Sequence, residues 1–328
     1  MLRDRLVPAS DANVSREFAL IESLRALAAS PAARRLLDDA AILPIGGATL
    51  VLTHDMLVEG VHYLLSDPPG DIAWKLLAVN LSDLAAKGAR PVGVLLGYSL
   101  GEEDWDRGFV AGLGAALGAF GVQLLGGDTV SVPEGSARVL GMTALGEAAG
   151  AVPSRGGAQA GDQLWVSGAI GDAGAGLRVL QGELAGSHEA LVERYRLPRP
   201  RLEAGEALAP LVSAMMDVSD GLLIDAARIA AASGVRLEIE LDAVPLSEPF
   251  LACLGGGREA RLAAATAGDD YELLFTAPLE RAAEILALSE SLGLPLTRVG
   301  AAGPGEGLRL SDHGEAVALP SGLGWEHR

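Results

Sequence analysis

The strongest constraint on the fold is a break in composition near the middle of the chain. Residues 146–162 are rich in Gly, Ala, Pro and Arg, whereas strand and helix patterns alternate on both sides of them. Such a stretch is typical of a linker, and 328 residues are enough for two domains. The sequence therefore predicts an α/β (α+β) protein with two domains, residues 1–149 and 150–328.

The chain is acidic, with a formal net charge of −18, and only two of its 25 basic residues are lysines, Lys75 and Lys87. Because no basic stripe would follow a phosphate backbone, binding to nucleic acid or to an anionic membrane is not expected. The single cysteine, Cys253, excludes an intramolecular disulfide. The N-terminus lacks a signal-peptide apolar region, and no apolar run reaches the roughly 18 residues of a membrane helix. We expect a cytoplasmic protein.

Apolar spacing and turn residues predict the order of the elements. The first half is predicted to contain an amphipathic helix over 15–36, a strand over 48–53 that ends in His54-Asp55, a helix over 71–88 capped by Asp71, a helix over 104–119, a strand over 122–125 that enters the turn 126–129, and a strand over 138–145. The second half is predicted to contain a strand over 163–167, a glycine-rich turn over 168–176, a strand before Asp217, a helix over 222–232, strands near 236–241 and 271–276, and a helix near 279–292.

Aspartates stand where the predicted strands end. Capping or turn chemistry explains any one of them alone. Ligand sites, however, gather at strand ends in α/β sheets, and glycines let the backbone approach a ligand closely. Taken together, the set points to one site: Asp38-Asp39, Asp55, Asp128, Asp217 and Asp220.

Asp83 is the most informative single aspartate. In the predicted helix 71–88, apolar side chains cover much of the circumference, and Asn80, Asp83 and Lys87 share one narrow stripe. One interpretation is a solvated face on which Asp83 and Lys87 form a surface ion pair. The other is a helix covered on most sides that directs a carboxylate into a metal site.

Many carboxylates with few lysines suit magnesium-dependent phosphoryl transfer. Magnesium is held by carboxylate oxygens and substrate phosphates, and it offsets the repulsion between two anions. Such transfer needs positioning and electrostatic stabilisation rather than a covalent nucleophile, so no catalytic nucleophile is predicted. The chain contains neither a P-loop nor the glycine-rich loop of protein kinases, so ATP would be bound by another design.

Six segments, in order from residue 37 to the C-terminal half, resemble the thiamine-monophosphate kinase family. They are Leu37–Ala41 (LDDAA), Thr53–His62 (THDMLVEGVH), Ala78–Ala86 (AVNLSDLAA), Leu125–Thr129 (LGGDT), Asp217–Leu222 (DVSDGL) and Gly268–Leu273 (GDDYEL). The resemblance implies the two-domain fold of aminoimidazole ribonucleotide synthetase-like proteins, with homodimers formed through the N-terminal domains. It also implies transfer of the ATP γ-phosphoryl group to thiamine monophosphate, with several Mg²⁺ ions.

The resemblance also implies roles for individual residues. The implied magnesium ligands are Asp39, Thr53, His54, Asp55, Asp83, Asp128, Asp217 and Asp220. The implied ATP contacts are Gly127, Asp128, Arg155 and Ser219, and the implied contacts to the thiamine moiety are His62, Asp269 and Trp325. A cationic thiazolium would be attracted by an aromatic face and by a carboxylate. Taken alone, Trp325 is better explained as a packing anchor and His62 as an ordinary surface or core histidine. Arg155 is explained either as a solubilising charge or as a phosphate contact.

The chain departs from the family pattern at three places. Arg35-Leu36-Leu37 replaces the usual Gly-Ile-Gly before the aspartate pair, His54 replaces Thr or Ser, and Asp269 replaces Glu. The first loop is therefore expected to be less tight.

The alternatives to a thiamine-monophosphate kinase are a sister enzyme or a non-catalytic nucleotide sensor. The sister enzymes are an ATP-dependent cyclo-ligase, selenophosphate synthetase and hydrogenase-maturation dehydratase. Cys253 fits neither cysteine-dependent sister, and a sensor has no need of so many carboxylates.

Overall fold

A five-stranded sheet forms the first half of the chain in the computed structural model, which describes residues 16–186 and 188–326. Its order is β1-β2-β5-β3-β4, and every neighbouring pair is antiparallel except β3 and β4, which are parallel. The strands are β1 (Ala41–Ile45), β2 (Ala48–Val58), β3 (Arg90–Ser99), β4 (Leu124–Val130) and β5 (Val139–Ala148).

Helices cover one face of this sheet and leave the other open. Helix α2 (Pro69–Ala86) packs on β2 and β5, and α3 (Glu103–Phe120) packs against α2. A shorter helix, α1 (Arg16–Arg25), and a 3₁₀ helix (Pro31–Leu36) precede the sheet. Met56, Leu95 and Leu125 remain exposed, although side chains of this kind are normally buried in a core.

The second half contains a seven-stranded, mixed sheet of order β12-β11-β8-β10-β6-β9-β7. Its strands are β6 (Gln163–Ser167), β7 (Ala214–Asp217), β8 (Arg236–Glu240), β9 (Leu273–Ala277), β10 (Leu296–Gly303), β11 (Gly307–Asp312) and β12 (Glu315–Val317). Its helices are α4 (Asp172–Leu180), α5 (Glu189–Arg196), α6 (Leu202–Leu208), α7 (Leu222–Ser233), α8 (Glu248–Leu254), α9 (Arg258–Thr266) and α10 (Ala282–Leu292), with short 3₁₀ turns at Leu241–Ala243 and Leu279–Arg281.

Helix α2 joins the two halves. Its C-terminal end packs on α6 and β7, and Ala85 and Ala86 share a buried cluster with Met215 and Phe275. The approach is close, because a Cβ atom at Gly205 would lie 1.9 Å from the Ala85 carbonyl oxygen. Residues of α2 are therefore buried nearly all round, so its polar side chains lie inside the protein.

The mixed α/β class and most elements were predicted, but several boundaries were wrong. The first helix ends at Arg25 rather than at residue 36. A single helix over the whole predicted span is disfavoured by Pro31, because it restricts Ser30, whose hydroxyl accepts from the Ala32 N–H at 3.2 Å. Ser15, the first residue of that predicted helix, lies outside the described residues. Asp71 does not cap α2, which begins at Pro69, a residue suited to a first helical position.

One predicted strand end and two predicted turns also differ from the structure. His54 and Asp55 lie within β2, because pairing with β5 continues as far as Val58. Residues 126–129 lie within β4, because they pair with β3. The predicted turn over 168–176 ends earlier, since α4 begins at Asp172. No helix within 16–186 or 188–326 combines the length and the apolar character that crossing a membrane requires.

Candidate active site between the two halves

Three carboxylates from distant parts of the chain meet beside α2. Asp39 precedes β1, Asp83 lies near the C-terminal end of α2, and Asp217 is the last residue of β7. One carboxylate oxygen of each lies within 4.8 Å of those of the other two. The sequence predicted all three as metal ligands, and the structure brings them together.

Neighbouring hydroxyl groups hold these carboxylates in place. The Thr53 hydroxyl donates to Asp83 and lies 3.2 Å from the backbone carbonyl oxygen of Asp39. The Ser82 hydroxyl, one residue before Asp83, donates to Asp217 at 2.6 Å. Helix α2 therefore contributes a ligand candidate and also orients the one from β7. Ser82 was not predicted, although it lies within the quoted family segment.

The cluster carries more negative charge than its surroundings offset. Burial, reinforced by Asp55 and Asp217, raises the pKa of Asp83 well above its usual value. Burial, with Asp225 and Asp55 adding to it, raises the pKa of Asp217 to about 7. Burial and the nearby Asp220 raise the pKa of Asp55 to about 6. Oxygen donors with uncompensated negative charge are the environment that Mg²⁺ prefers, so the residues fit this ion.

Asp55 and His54 face opposite sides of the first sheet. The Asp55 N–H donates to the Asn80 side-chain oxygen of α2 at 3.1 Å, which places Asp55 beside the covered face. His54 is exposed, and its Nδ1 lies 2.9 Å from the Thr143 hydroxyl on β5. Because side chains alternate along a strand, the structure does not bring the His54 imidazole to the carboxylate cluster.

Asp128 also lies away from the cluster. Across the sheet, Asp128 of β4 pairs with Gly97 of β3, Gly97 pairs with Gly141 of β5, and Gly141 pairs with Met56 of β2. Met56 is exposed on the face opposite α2. In-register side chains share a face, so Asp128 lies on the open face of the sheet. Gly127, the neighbouring predicted ATP contact, packs tightly, since a Cβ atom there would lie 2.0 Å from a backbone oxygen of β3.

The turn after β7 holds a further ionic group. Arg228 of α7 donates to Asp220 at 2.5 Å and to the buried Asp225 at 2.6 Å. Asp225 in turn accepts from the Asp220 N–H at 3.1 Å, and the Ser219 carbonyl accepts from the Asp269 N–H at 2.8 Å. Asp225 and Arg228 were missed, although an i, i+3 charge pair within an apolar helix is a readable signal.

Lys87 does not form the surface pair with Asp83 that one interpretation of the helix suggested. Its side chain is fully buried, and its Nζ donates to Asp39 at 2.7 Å and to Asp38. The other oxygen of Asp39 accepts from the guanidinium of Arg155, a predicted ATP contact. The surface interpretation is therefore wrong, because the second half of the chain covers this part of α2.

A second polar group surrounds Lys75. The buried ammonium donates to the His62 carbonyl oxygen at 3.1 Å and to Asp269 at 2.9 Å, and it lies 4.0 Å from the centre of the Tyr195 ring. Lys75 therefore links two of the predicted substrate contacts across the two halves. It was missed, although it is one of only two lysines in the chain.

The backbone of Trp325 contacts the turn that carries Asp220. Its N–H donates to the Asp220 carbonyl oxygen at 2.9 Å, and its side chain is 50% exposed. The structure therefore has a half-exposed aromatic ring beside the carboxylate turn.

Comparison with known proteins places the chain in a family. Residues 37–148 match the family model of the N-terminal domain of AIR synthase related proteins, and residues 159–313 match the model of the C-terminal domain. The thiamine-monophosphate kinase of Caulobacter vibrioides is 40% identical over 305 residues, which cover 90% of this chain and 86% of that protein. The chain belongs to the thiamine-monophosphate kinase family. The predicted family is thus confirmed.

Solved structures of thiamine-monophosphate kinases share the whole fold. The enzyme from Stenotrophomonas maltophilia is 39% identical, with a TM-score of 0.74 over 92% of this chain and 96% of that one. A structure described as "AaThiL complexed with AMPPCP and TMP" is 31% identical, with a TM-score of 0.83 over 97% of this chain and 100% of that one. The predicted two-domain fold is confirmed, while the boundary at residues 149 and 150 stays a prediction.

Three consecutive residues of the loop before Asp38 have a left-handed backbone, and Arg35 is the one of them that stands at an expected glycine position. Arg34, Arg35 and Leu36 have φ values of 43°, 59° and 53°, which lie in the left-handed region. This conformation costs a residue with a Cβ atom roughly 1–2 kcal/mol. Arg34 fastens the loop, since it donates to Asp38 at 2.6 Å and to the Pro153 carbonyl oxygen at 2.9 Å.

Proposed function

We propose that this chain is a thiamine-monophosphate kinase that transfers the γ-phosphoryl group of ATP to the phosphate of thiamine monophosphate and so produces thiamine diphosphate and ADP. The observation that carries the proposal is the convergence of Asp39, Asp83 and Asp217 from both halves in a chain of this family. Identity of 40% to a thiamine-monophosphate kinase favours this reaction over those of the sister enzymes and over nucleotide sensing.

Several Mg²⁺ ions would be held by the clustered carboxylates Asp39, Asp83 and Asp217, with Asp55 and Asp220 beside them. When bound, the ions supply positive charge that offsets the repulsion between the phosphates of the two substrates. The chain itself fixes the ligands, since the Thr53 and Ser82 hydroxyls orient two of the carboxylates. No side chain has to act as a nucleophile, because the substrate phosphate attacks in line.

The two substrates would meet at α2. Arg155, which donates to Asp39, and Ser219, in the turn after β7, would contact ATP. His62, Asp269 and Trp325 are proposed to contact the thiamine moiety. Because Lys75 pairs with Asp269, the exposed Trp325 ring is the stronger attraction for a cationic thiazolium.

We further propose that the protein is a homodimer assembled through the open face of the first sheet. That face carries exposed Met56, Leu95 and Leu125, and large exposed apolar surfaces mark interaction sites. Asp128 lies on the same face, away from Asp83, so a second copy is needed to bring it to a metal site. We infer that the dimer works in the cytoplasm, which suits a chain with one unpaired cysteine.

The reaction is tested by incubating the purified protein with ATP, MgCl₂ and thiamine monophosphate and separating the products by chromatography. Thiamine diphosphate is expected with magnesium and not with EDTA. Full activity in EDTA would contradict the metal site, and hydrolysis of ATP without thiamine diphosphate would contradict the substrate.

The shared site is tested with mixed dimers of Asp83→Asn and Asp128→Asn subunits, each inactive alone. If a second copy supplies Asp128, each mixed dimer has one intact site. Random assortment then restores about a quarter of the parental activity, as expected for a two-fold dimer. No restoration in verified mixed dimers would place both residues in the same subunit's site.

A further inference from the structure

Lys87 is the most unusual charged residue outside the proposed ligand set. It follows α2 directly, and its side chain is fully buried. Its ammonium has three acceptors, an Asp38 carboxylate oxygen at 2.5 Å, an Asp39 carboxylate oxygen at 2.7 Å and the Met215 carbonyl oxygen at 3.3 Å. Lysine is almost never fully buried unless it is paired, so this arrangement requires a reason.

The contacts of Lys87 account for its burial. Removing an ammonium from water is unfavourable unless close opposite charge and well-placed hydrogen bonds offset the loss of hydration. Asp38 is itself only 1% exposed and also accepts from Arg34. Asp39 is 8% exposed and also accepts from Arg155. The two carboxylates therefore have three cationic neighbours, and Lys87 is the one that contacts both.

The buried carboxylates form two groups according to their hydrogen-bond partners. Asp38 accepts from Lys87 and Arg34, and Asp39 accepts from Lys87 and Arg155. Asp83 and Asp217 instead accept from neutral hydroxyl groups, those of Thr53 and Ser82. Asp39 links the two groups, since one of its oxygens lies within 4.8 Å of oxygens of Asp83 and Asp217.

We propose that Lys87 is a built-in cation of the magnesium site, which neutralises the Asp38–Asp39 pair and thereby weakens the binding of Mg²⁺ by the adjoining carboxylates. The inference rests on the proposed magnesium site. It follows from charge, because an ammonium that shares Asp39 with the metal repels the metal and competes for the carboxylate. Lys87 also keeps Asp39 in place through contacts that do not depend on the magnesium ion.

The test is thermal unfolding of the full-length protein during titration with MgCl₂ at constant ionic strength, without substrates. Lys87→Met replaces the ammonium with an apolar side chain of similar length, and each carboxylate keeps one arginine. We expect a lower melting temperature without magnesium. We also expect the MgCl₂ concentration that gives half of the stabilisation to fall about tenfold, since tighter binding stabilises at lower concentration.

Two further variants keep the outcome decisive. Lys87→Met combined with Asp38→Asn removes one charge of each sign, so it should fold even if the single variant does not. Its magnesium response should move to lower concentration by less than that of the single variant, because the net charge is unchanged and Asp39 loses only its competing ammonium. Lys75→Met is the matched control, because it removes the other buried lysine of α2, whose carboxylate partner is Asp269. It should lower stability without moving the magnesium response.

The outcomes separate this inference from the proposed function. If the parent gains no stability from MgCl₂, the magnesium site itself is wrong. If the parent responds and both Lys87 variants respond at the same MgCl₂ concentration as the parent, the role of Lys87 alone is refuted. If Lys75→Met lowers the MgCl₂ concentration for half stabilisation as much as Lys87→Met does, the effect comes from a general loss of positive charge, and the role of Lys87 is again refuted.

Discussion

Replacement of Asp217 by asparagine should make the metal-free protein more stable near neutral pH while removing most of its activity. Asp217 is 3% exposed, and its surroundings raise its pKa from 3.8 to about 7. Asparagine has nearly the same volume and can still accept the hydrogen bond from the Ser82 hydroxyl. It removes the buried charge but also removes a proposed metal ligand.

The sign of the effect follows from proton linkage. A carboxyl group whose pKa is raised by folding stabilises the fold below its unfolded pKa, and this contribution is lost as pH rises towards the folded value. For Asp217 the window runs from about pH 4 to about pH 7. The difference between the folded and unfolded pKa values corresponds to at most about 4 kcal/mol in the free energy of unfolding. For a protein of this size, that is several degrees in melting temperature.

The assay is thermal unfolding of parent and variant in EDTA at about pH 4 and about pH 8, chosen to lie on either side of that window. The two proteins should differ little at the lower pH, and Asp217→Asn should melt at the higher temperature at the upper pH. Asp104→Asn, at a surface position, should follow the parent at both. An Asp217→Asn variant that is less stable than the parent at both pH values would refute the reasoning.

Three further predictions concern the other parts of the site. Asp128→Asn should lower the rate by about a hundredfold or more while the protein stays folded, because charge stabilisation is lost; unchanged kcat would remove Asp128 from the site. Trp325→Ala should raise the KM for thiamine monophosphate about two- to thirtyfold with little effect on ATP, whereas equal changes in both KM values would indicate a packing role. Arg35→Gly, at a φ of 59°, should stabilise the protein by about 1 kcal/mol in denaturant unfolding. The matched Leu37→Gly, at a φ of −108°, should not, and equal effects would contradict the strain argument.

The sequence predicted the part of the site that lies close to recognisable local patterns. Asp83 stood out because a carboxylate interrupted a largely apolar helix, and Asp217 because it followed a buried strand. The structure adds the reason why both are buried, which is the packing of α2 between two sheets. Packing between segments that are more than a hundred residues apart leaves no periodic signal in either of them.

The same limit explains what was missed. Lys75 and Lys87 were read as side chains of one helix, yet their partners Asp269 and Asp38 come from distant segments. Asp128 was predicted to lie in a turn because two glycines precede it. Its place within an edge strand depends on pairing with β3, which the local sequence does not specify.

The most direct test of the central claim follows the phosphoryl group itself. ATP carrying radioactive phosphorus at the γ position is incubated with thiamine monophosphate, MgCl₂ and either the parent protein or Asp83→Asn, and the thiamine products are separated. The account predicts label in the terminal phosphate of thiamine diphosphate with the parent, and loss of most of that label with a folded Asp83→Asn protein. Unlabelled thiamine diphosphate, or equal labelling by both proteins, would contradict it.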